Sequence, residues 1–125
     1  MAEFFDFELV SPERRLVSGK VAMVVVPGTE GDFGVLPGHA PMMSTVRPGA
    51  IAIYETDSNS LSQRYFIEGG FAEVNATGLT ILAEKAILVS AIDPVQVAAD
   101  LAAARSAGNG AAVDRLEAMQ AAVVN

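Results

Sequence analysis

Ile92-Asp93-Pro94-Val95-Gln96-Val97 is the stretch at which the sequence changes its period, and it divides the chain in two. Asp93 offers a side-chain acceptor at an N-cap and Pro94 a fixed φ at the first helical position, a pair that starts a helix. Gln96 stands three residues beyond Asp93, where a capping-box partner would reach back. Downstream, Val97, Leu101 and Ala104 recur at helical spacing through an alanine-rich segment, until Gly108-Asn109-Gly110 breaks it. Ala112, Leu116, Met119 and Val123 then mark one face of a second helix. Two short helices with a three-residue connection predict an antiparallel hairpin. Each is close to the ~12–15 residues at which an isolated helix is marginal in water. The pair must lean on each other, on the rest of the chain, or on a partner.

Upstream of Asp93 the grammar is that of short strands. Phe5, Phe7 and Leu9 alternate with Asp6 and Glu8, the period-2 pattern of a strand with one dry face. Val21-Ala22-Met23-Val24-Val25-Val26 is continuous and β-branched, as in a strand buried on both faces. Ile51 with Ile53, Tyr65 with Ile67, and Leu79 with Ile81 mark further strands. Turn chemistry separates them at Ser18-Gly19, Pro27-Gly28, Pro37-Gly38, Pro48-Gly49, Asp57-Ser58-Asn59, Gly69-Gly70 and Thr77-Gly78. No segment before Ile92 is long and periodic enough for a crossover helix, so the reading is an antiparallel sandwich or barrel over 1–90 and a helical hairpin over 91–125.

The 125 residues hold 8 Lys+Arg against 15 Asp+Glu, a formal charge of −7. That balance disfavours binding to a phosphate backbone, which needs clustered cations, so no nucleic-acid partner is expected. At 51% apolar residues the chain has enough side chains for a packed core. The absence of cysteine removes disulfides, thiolate metal sites and thiol nucleophiles, and a single histidine cannot build a multi-His metal centre. Met1-Ala2-Glu3-Phe4 lacks the basic and apolar regions of a signal peptide. No run approaches the ~20 apolar residues of a membrane span. Membrane association, with no direct insertion, is expected to go through a protein partner.

Chemistry-bearing constellations are sparse. The densest Gly/Pro region, Pro27 to Pro41, lacks the Lys-Ser/Thr of a phosphate loop, and Glu30 and Asp32 would repel phosphate. It reads either as a long connection between strands or as a shaped acidic surface loop for docking another protein. His39 lacks triad partners, since Ser11, Ser18 and Ser44 stand in no nucleophile-elbow context; a hydrogen-bonded structural role is expected. Glu68, Glu73 and Glu84 lie in separate strand regions as solvated positions, and nothing selects an acid pair. Met42-Met43 reads as an adaptable contact patch or as a core pair at a strand start. A nucleotide sensor and a metal-dependent enzyme on a jelly-roll-like barrel are the competing readings; no catalytic residue, cofactor or metal ligand emerges.

Val10-Ser11-Pro12-Glu13, Ser18-Gly19, the ordered string from Gly31-Asp32-Phe33-Gly34 to Leu36-Pro37-Gly38-His39-Ala40-Pro41, Pro48-Gly49 and Gly69-Gly70-Phe71-Ala72-Glu73-Val74 together resemble the ε subunits of bacterial F-type ATP synthases. The resemblance spans essentially the whole chain. It implies a ten-stranded β-sandwich followed by a two-helix hairpin, agreeing with the two grammars. It also implies a non-catalytic subunit of the central rotor stalk of a proton-translocating complex, a peripheral protein on the cytoplasmic face of the bacterial inner membrane. Its implied partners are the γ subunit, the c-ring of the Fo sector and, through the hairpin, the α and β subunits.

Carried over position by position, Glu30, Gly31, Asp32 and Phe33 would touch the c-ring loops. Ser11, His39 and Ser44 would lie on or near the γ-facing side. Relatives that bind ATP carry Ile-Asp-x-x-Arg-Ala at the first helix; this chain has Gln96 and Val97 in place of the arginine and alanine, a departure that argues against ATP sensing. From Asp93 onward Arg105 and Arg115 face Asp93, Asp100, Asp114 and Glu117, and the chain ends at Asn125. An acidic, abbreviated hairpin is a poor electrostatic partner for an acidic catalytic-subunit segment, so hairpin-mediated inhibition of ATP hydrolysis is expected to be weak or absent.

Overall fold

The alternation at Phe5, Phe7 and Leu9 becomes β1 (Phe5–Val10), with those three side chains at 6%, 0% and 0% exposure in a computed structural model that describes residues 3–124. Nine strands follow: β2 (Arg15–Val21), β3 (Met23–Gly28), β4 (Gly31–Val35), β5 (Met42–Val46), β6 (Gly49–Tyr54), β7 (Gln63–Ile67), β8 (Gly70–Val74), β9 (Gly78–Ala83) and β10 (Ala86–Leu88). A 3₁₀ turn at Val89–Ala91 leads into α1 (Pro94–Ser106) and α2 (Gly110–Val124).

The strands form one continuous ladder that folds over on itself. The first half runs β10-β7-β6-β3 with β4 beside β3; the second runs β5-β8-β9-β1-β2. A single pairing, Gly28 with Val46, joins the halves. Val24, Val26, Ile51, Ile53 and Ile67 of the first half meet Phe7, Leu9, Ala72 and Ile81 of the second in one apolar cluster, which makes the arrangement a β-sandwich. The expected antiparallel order holds for every described pair except β1 beside β9, which run parallel.

The Val21–Val26 run behaves differently from its sequence reading. Val21 closes β2, Ala22 bends the chain, and β3 starts at Met23, alternating between buried and half-buried side chains up to Val26. Composition could not reveal the break, because valine suits an inner position and a half-covered outer one equally. The Pro27–Pro41 region is likewise not one connection: β4 lies within it, paired to β3 from Val24–Val35 to Gly28–Gly31. At Gly70 the backbone (φ +154°) passes so close to β9 that a Cβ would run into the carbonyl oxygen of Leu82, so that position takes glycine, while Gly69 has φ +126°, in the region that favours glycine.

The helices start and stop where expected. Asp93 caps α1 by accepting from the Val95 and Gln96 amides at 2.9 and 3.5 Å. Gln96 does not reach back to complete a capping box; its side-chain amide donates to Asp100 Oδ1 at 2.8 Å, one turn on. Gly108 (φ +69°) turns the chain through the left-handed region, and Asn109 Oδ1 accepts from the Ala112 amide to start α2. Leu101, Ala104 and Leu116 join the two helices. Val97 and Ala122 then close over Phe66, Val89 and Ile92, docking the hairpin on the outer side of the first half-sheet.

Candidate functional site

Side chains alternate across a strand, so each half-sheet has an inner face toward the core and an outer face. On the first half-sheet the outer face presents Phe66 and, opposite it, Ala50, and the hairpin covers both: Phe66 has 0% exposure although it points away from the main core. Among the described residues nothing comparable covers the outer face of the second half-sheet. Cross-strand register places Thr45, Phe71, Leu82, Val10 and Arg15 in one row and Met43, Glu73, Thr80, Glu8 and Ser18 in the next. Met43, Phe71 and Leu82 stand 64%, 44% and 55% exposed, with Val10 half-buried at the end of the row. Arg15 with Glu8 at 3.5 Å and Lys20 with Asp6 at 2.9 Å form a charged border on the β2 side. An apolar diagonal inside a polar rim is the anatomy of a protein-docking surface.

Ser11 and His39 lie at opposite corners of that face. Ser11 follows β1 at the end of the sandwich reached by Val46, Gly70 and Ala83. Its hydroxyl donates to the Arg14 carbonyl at 3.2 Å, closing the β1–β2 turn. His39 precedes β5 at the other end, beside Asn75, Thr77 and Phe5, with Nδ1 2.7 Å from its neighbour's carbonyl, Ala40 O. Ser44 sits between them on β5 but in the inward row with Ala72, Ile81 and Leu9, its hydroxyl donating to Thr45 O at 2.9 Å. The strip Met43–Phe71–Leu82–Val10 joins the two corners. Sequence reading offered Met43 as a contact residue but left the strip undetected, because Phe71, Leu82 and Val10, taken singly, look like core. Met42 and Met43 divide between the two alternatives: Met42 packs on the core and Met43 faces outward.

Glu30 and its neighbours occupy the tip of the β3–β4 hairpin, at the same end as Ser11. Gly28 pairs with Gly31, so Thr29 and Glu30 alone span the turn. Glu30 projects at the tip and makes no ion pair among the described residues. Phe33 folds back, half-buried, against the core, its ring filling the space where Gly28 would carry a Cβ. Asp32 is engaged within the chain, its Oδ1 accepting from Arg47 Nη2 at 2.6 Å. The four residues therefore form one feature with three different roles.

A cleft of about 500 Å³ opens between the β1–β2 turn, the β9–β10 turn and α2, lined by Ser11, Glu13, Arg14, Glu84, Lys85 and Met119 among others. Its charges are of both signs, and Glu68 on its wall pairs with Arg115 of α2 at 3.1 Å. Glu73 stays in the exposed outer row, whereas Glu68 and Glu84, expected as solvated positions in separate regions, both line this cleft, because the Glu68 amide donates to Lys85 O and the Glu84 amide to Gly69 O. Glu68 is half-buried and held by Arg115, while Glu84 is exposed. Among the described residues no three His, Asp or Glu side chains converge as metal ligands do, and no helix is long and apolar enough to cross a membrane.

Residues 4–89 match the family model of the ATP synthase delta/epsilon chain β-sandwich domain. The chain is 56% identical to the ATP synthase epsilon chain of Maricaulis maris over 99% of its own length and 90% of that protein. It is 53% identical to the ATP synthase epsilon chain of Paramagnetospirillum magneticum, over 92% and 85% respectively. Among solved structures it resembles a chain of the Euglena gracilis mitochondrial ATP synthase, in an assembly described as OSCP/F1/c-ring in rotational state 1. That likeness has a TM-score of 0.77 at 27% identity and covers 95% of this chain and 76% of the other. A chain of the Tetrahymena thermophila mitochondrial ATP synthase central stalk/c-ring shares the fold, with a TM-score of 0.67 at 16% identity over 94% and 95%.

Proposed function

The chain belongs to the family of ATP synthase epsilon chains, and from that premise we propose that it is a non-catalytic coupling subunit of the central stalk. The outer face of the second half-sheet docks on the γ subunit and the β3–β4 turn meets the polar loops of the c-ring. So held, it passes proton-driven rotation to the catalytic hexamer, as a peripheral protein on the cytoplasmic face of the bacterial inner membrane. The two units of the reading, a docking sandwich over 1–90 and a hairpin over 91–125, divide the labour.

The observation that carries the proposal is the uncovered apolar diagonal. Of the sandwich's two outer faces one is closed by the hairpin, while the other leaves Met43, Phe71 and Leu82 to solvent. Water contact with three large apolar side chains in one strip is unfavourable and is relieved by a partner. His39 and Ser11, at its two corners, fit the γ-facing assignment; Ser44 fits it through its strand rather than its side chain. A sandwich supplies a preformed face that need not fold on binding, as a torque-bearing contact requires. The E. gracilis neighbour, taken from an F1/c-ring assembly, supports the same placement.

The test is affinity capture of the tagged chain from solubilised native membranes, with the co-purifying proteins identified by mass spectrometry. The unaltered chain recovers γ, the αβ hexamer and the c-ring; the Phe71→Glu/Leu82→Glu double variant keeps its fold, since both side chains point outward, and recovers none of them. Retention of γ by the double variant moves the docking face elsewhere. Recovery of the unaltered chain alone, from membranes whose complex stays intact, removes the coupling role.

The hairpin's charges support a weak or absent inhibitory role. Both of its arginines are engaged within the chain: Arg105 with Glu117 at 3.2 Å and Arg115 with Glu68 at 3.1 Å. Asp100 and Asp114 remain exposed, and an acidic surface is repelled by an acidic target.

A further inference from the structure

The β3–β4 turn is held from outside by Arg47 on both limbs and by Thr45 of β5 at its tip. Arg47 lies in the connection between β5 and β6, and its amide donates to Pro27 O at 3.0 Å. Its guanidinium spans both limbs of the hairpin: Nη1 donates to Gly28 O at 2.6 Å on the β3 limb, and Nη2 to Asp32 Oδ1 at 2.6 Å on the β4 limb. Beside it Thr29 is tied to β5 twice, by its amide to Thr45 O at 3.1 Å and by a 2.8 Å contact between the two threonine hydroxyls.

We infer that Arg47 is a positioning residue for docking on the c-ring. It fixes the turn in its binding geometry and neutralises Asp32, so that Glu30 alone is the carboxylate offered to the partner. This rests on the assignment of the turn to the c-ring. The planar fork matters: a guanidinium can donate along two separate directions at once, whereas a lysine ammonium on a flexible stem is a point charge that satisfies one limb well and the other poorly. The ties from β5 reach Thr29 only, so Arg47 is what holds the Asp32 limb from outside the hairpin, and rigidity before binding lowers the ordering cost that docking incurs. The complementary group on the partner is then a single cation opposite Glu30, set among polar groups opposite Thr29 and Thr45, rather than a cluster of cations matched to two carboxylates.

The experiment reconstitutes F1 lacking the native subunit with variants of this chain and titrates it onto Fo-containing membranes stripped of F1. Binding, ATP-driven proton pumping and the melting temperature of the free chain are read together. Arg47→Met weakens membrane binding by about tenfold through lost preorganisation, leaves γ binding intact and barely moves the melting temperature, because the side chain is 44% exposed. Arg47→Lys recovers part of the loss. Glu30→Gln weakens binding and flattens its salt dependence, while Asp32→Asn, which keeps an acceptor for Arg47, changes the salt dependence little.

Binding unchanged in Arg47→Met while Glu30→Gln weakens it overturns the positioning role and leaves the turn's assignment standing. An equal effect of Glu30→Gln and Asp32→Asn on the salt dependence overturns the division of roles. No effect of any variant, Glu30→Lys and Phe33→Ala included, overturns the assignment of the turn itself, and the inference with it.

Discussion

Replacing Phe66 by alanine should release the helical hairpin while leaving the sandwich folded. Phe66 has 0% exposure, yet its buried neighbours are Val89, Ile92, Val97 and Ala122, not the main core. It is the largest side chain in that cluster, and the groups set against it from the helices are mostly alanine and valine. Truncating a buried phenylalanine costs about 3–5 kcal/mol, through lost transfer energy and the cavity left behind. The other tie, Arg115 to Glu68, joins side chains 39% and 20% exposed and contributes at most about 1 kcal/mol after screening by solvent. The apolar term therefore decides docking. A loss of about 3 kcal/mol multiplies the undocked population by about 150, at roughly 1.4 kcal/mol per tenfold. Native-state hydrogen exchange reads this directly, because each cooperative unit opens with its own free energy. Amides of residues 113–123 should exchange about 100-fold faster in Phe66→Ala, while those of β1 and β9 change little. Equal acceleration in strands and helices would show that Phe66 supports the whole sandwich. An unchanged hairpin would show that the ion pair, or the 3₁₀ turn at Val89–Ala91, holds it instead.

Two further outcomes follow from the hairpin's ends and charges. Asp93→Ala removes the acceptor for the Val95 and Gln96 amides and should cost about 1 kcal/mol, seen as faster exchange confined to the first turn of α1; Asp93→Asn should restore most of it. Deleting residues 92–125 from the assembled complex should leave ATP hydrolysis close to its starting rate, since both hairpin arginines are engaged within the chain; a severalfold rise would show that the hairpin inhibits despite its acidic surface.

Much of this fold was legible because its signals are local. Asp93-Pro94 and Gly108-Asn109-Gly110 bound the helices through capping and left-handed geometry that depend on a few adjacent residues. Val97, Leu101 and Ala104 are all buried, as their spacing required. Failures came where the deciding contact is remote. The bend at Ala22 between β2 and β3, and β4 within a Gly/Pro-rich stretch, depend on which strands lie alongside, and valine or glycine content does not record that. Gln96 found Asp100 rather than the backbone of its own cap because a side chain one turn on competed successfully.

The candidate site shows the same division more sharply. Of the residues carried over from the resemblance, Ser11, His39 and Glu30 sit at turns, where composition is distinctive, while Gly31, Asp32 and Phe33 lie on β4 and Ser44 on β5. The surface between them is built from Met43, Phe71 and Leu82, whose types are those of any buried strand, and only register separates them from Ala72 and Ile81 one position away. A one-residue shift in a strand exchanges its inner and outer faces, so no periodicity argument could say which set met the core. What settles it is closure: the inner rows of the two half-sheets already fill one core, and the hairpin already covers one outer face. The apolar set left over after both demands are met is the one that the proposed γ contact would cover. That makes the identity of the uncovered face a consequence of the hairpin's position. If the hairpin left the first half-sheet, Phe66 would become a second exposed apolar site beside the strip of Met43, Phe71 and Leu82.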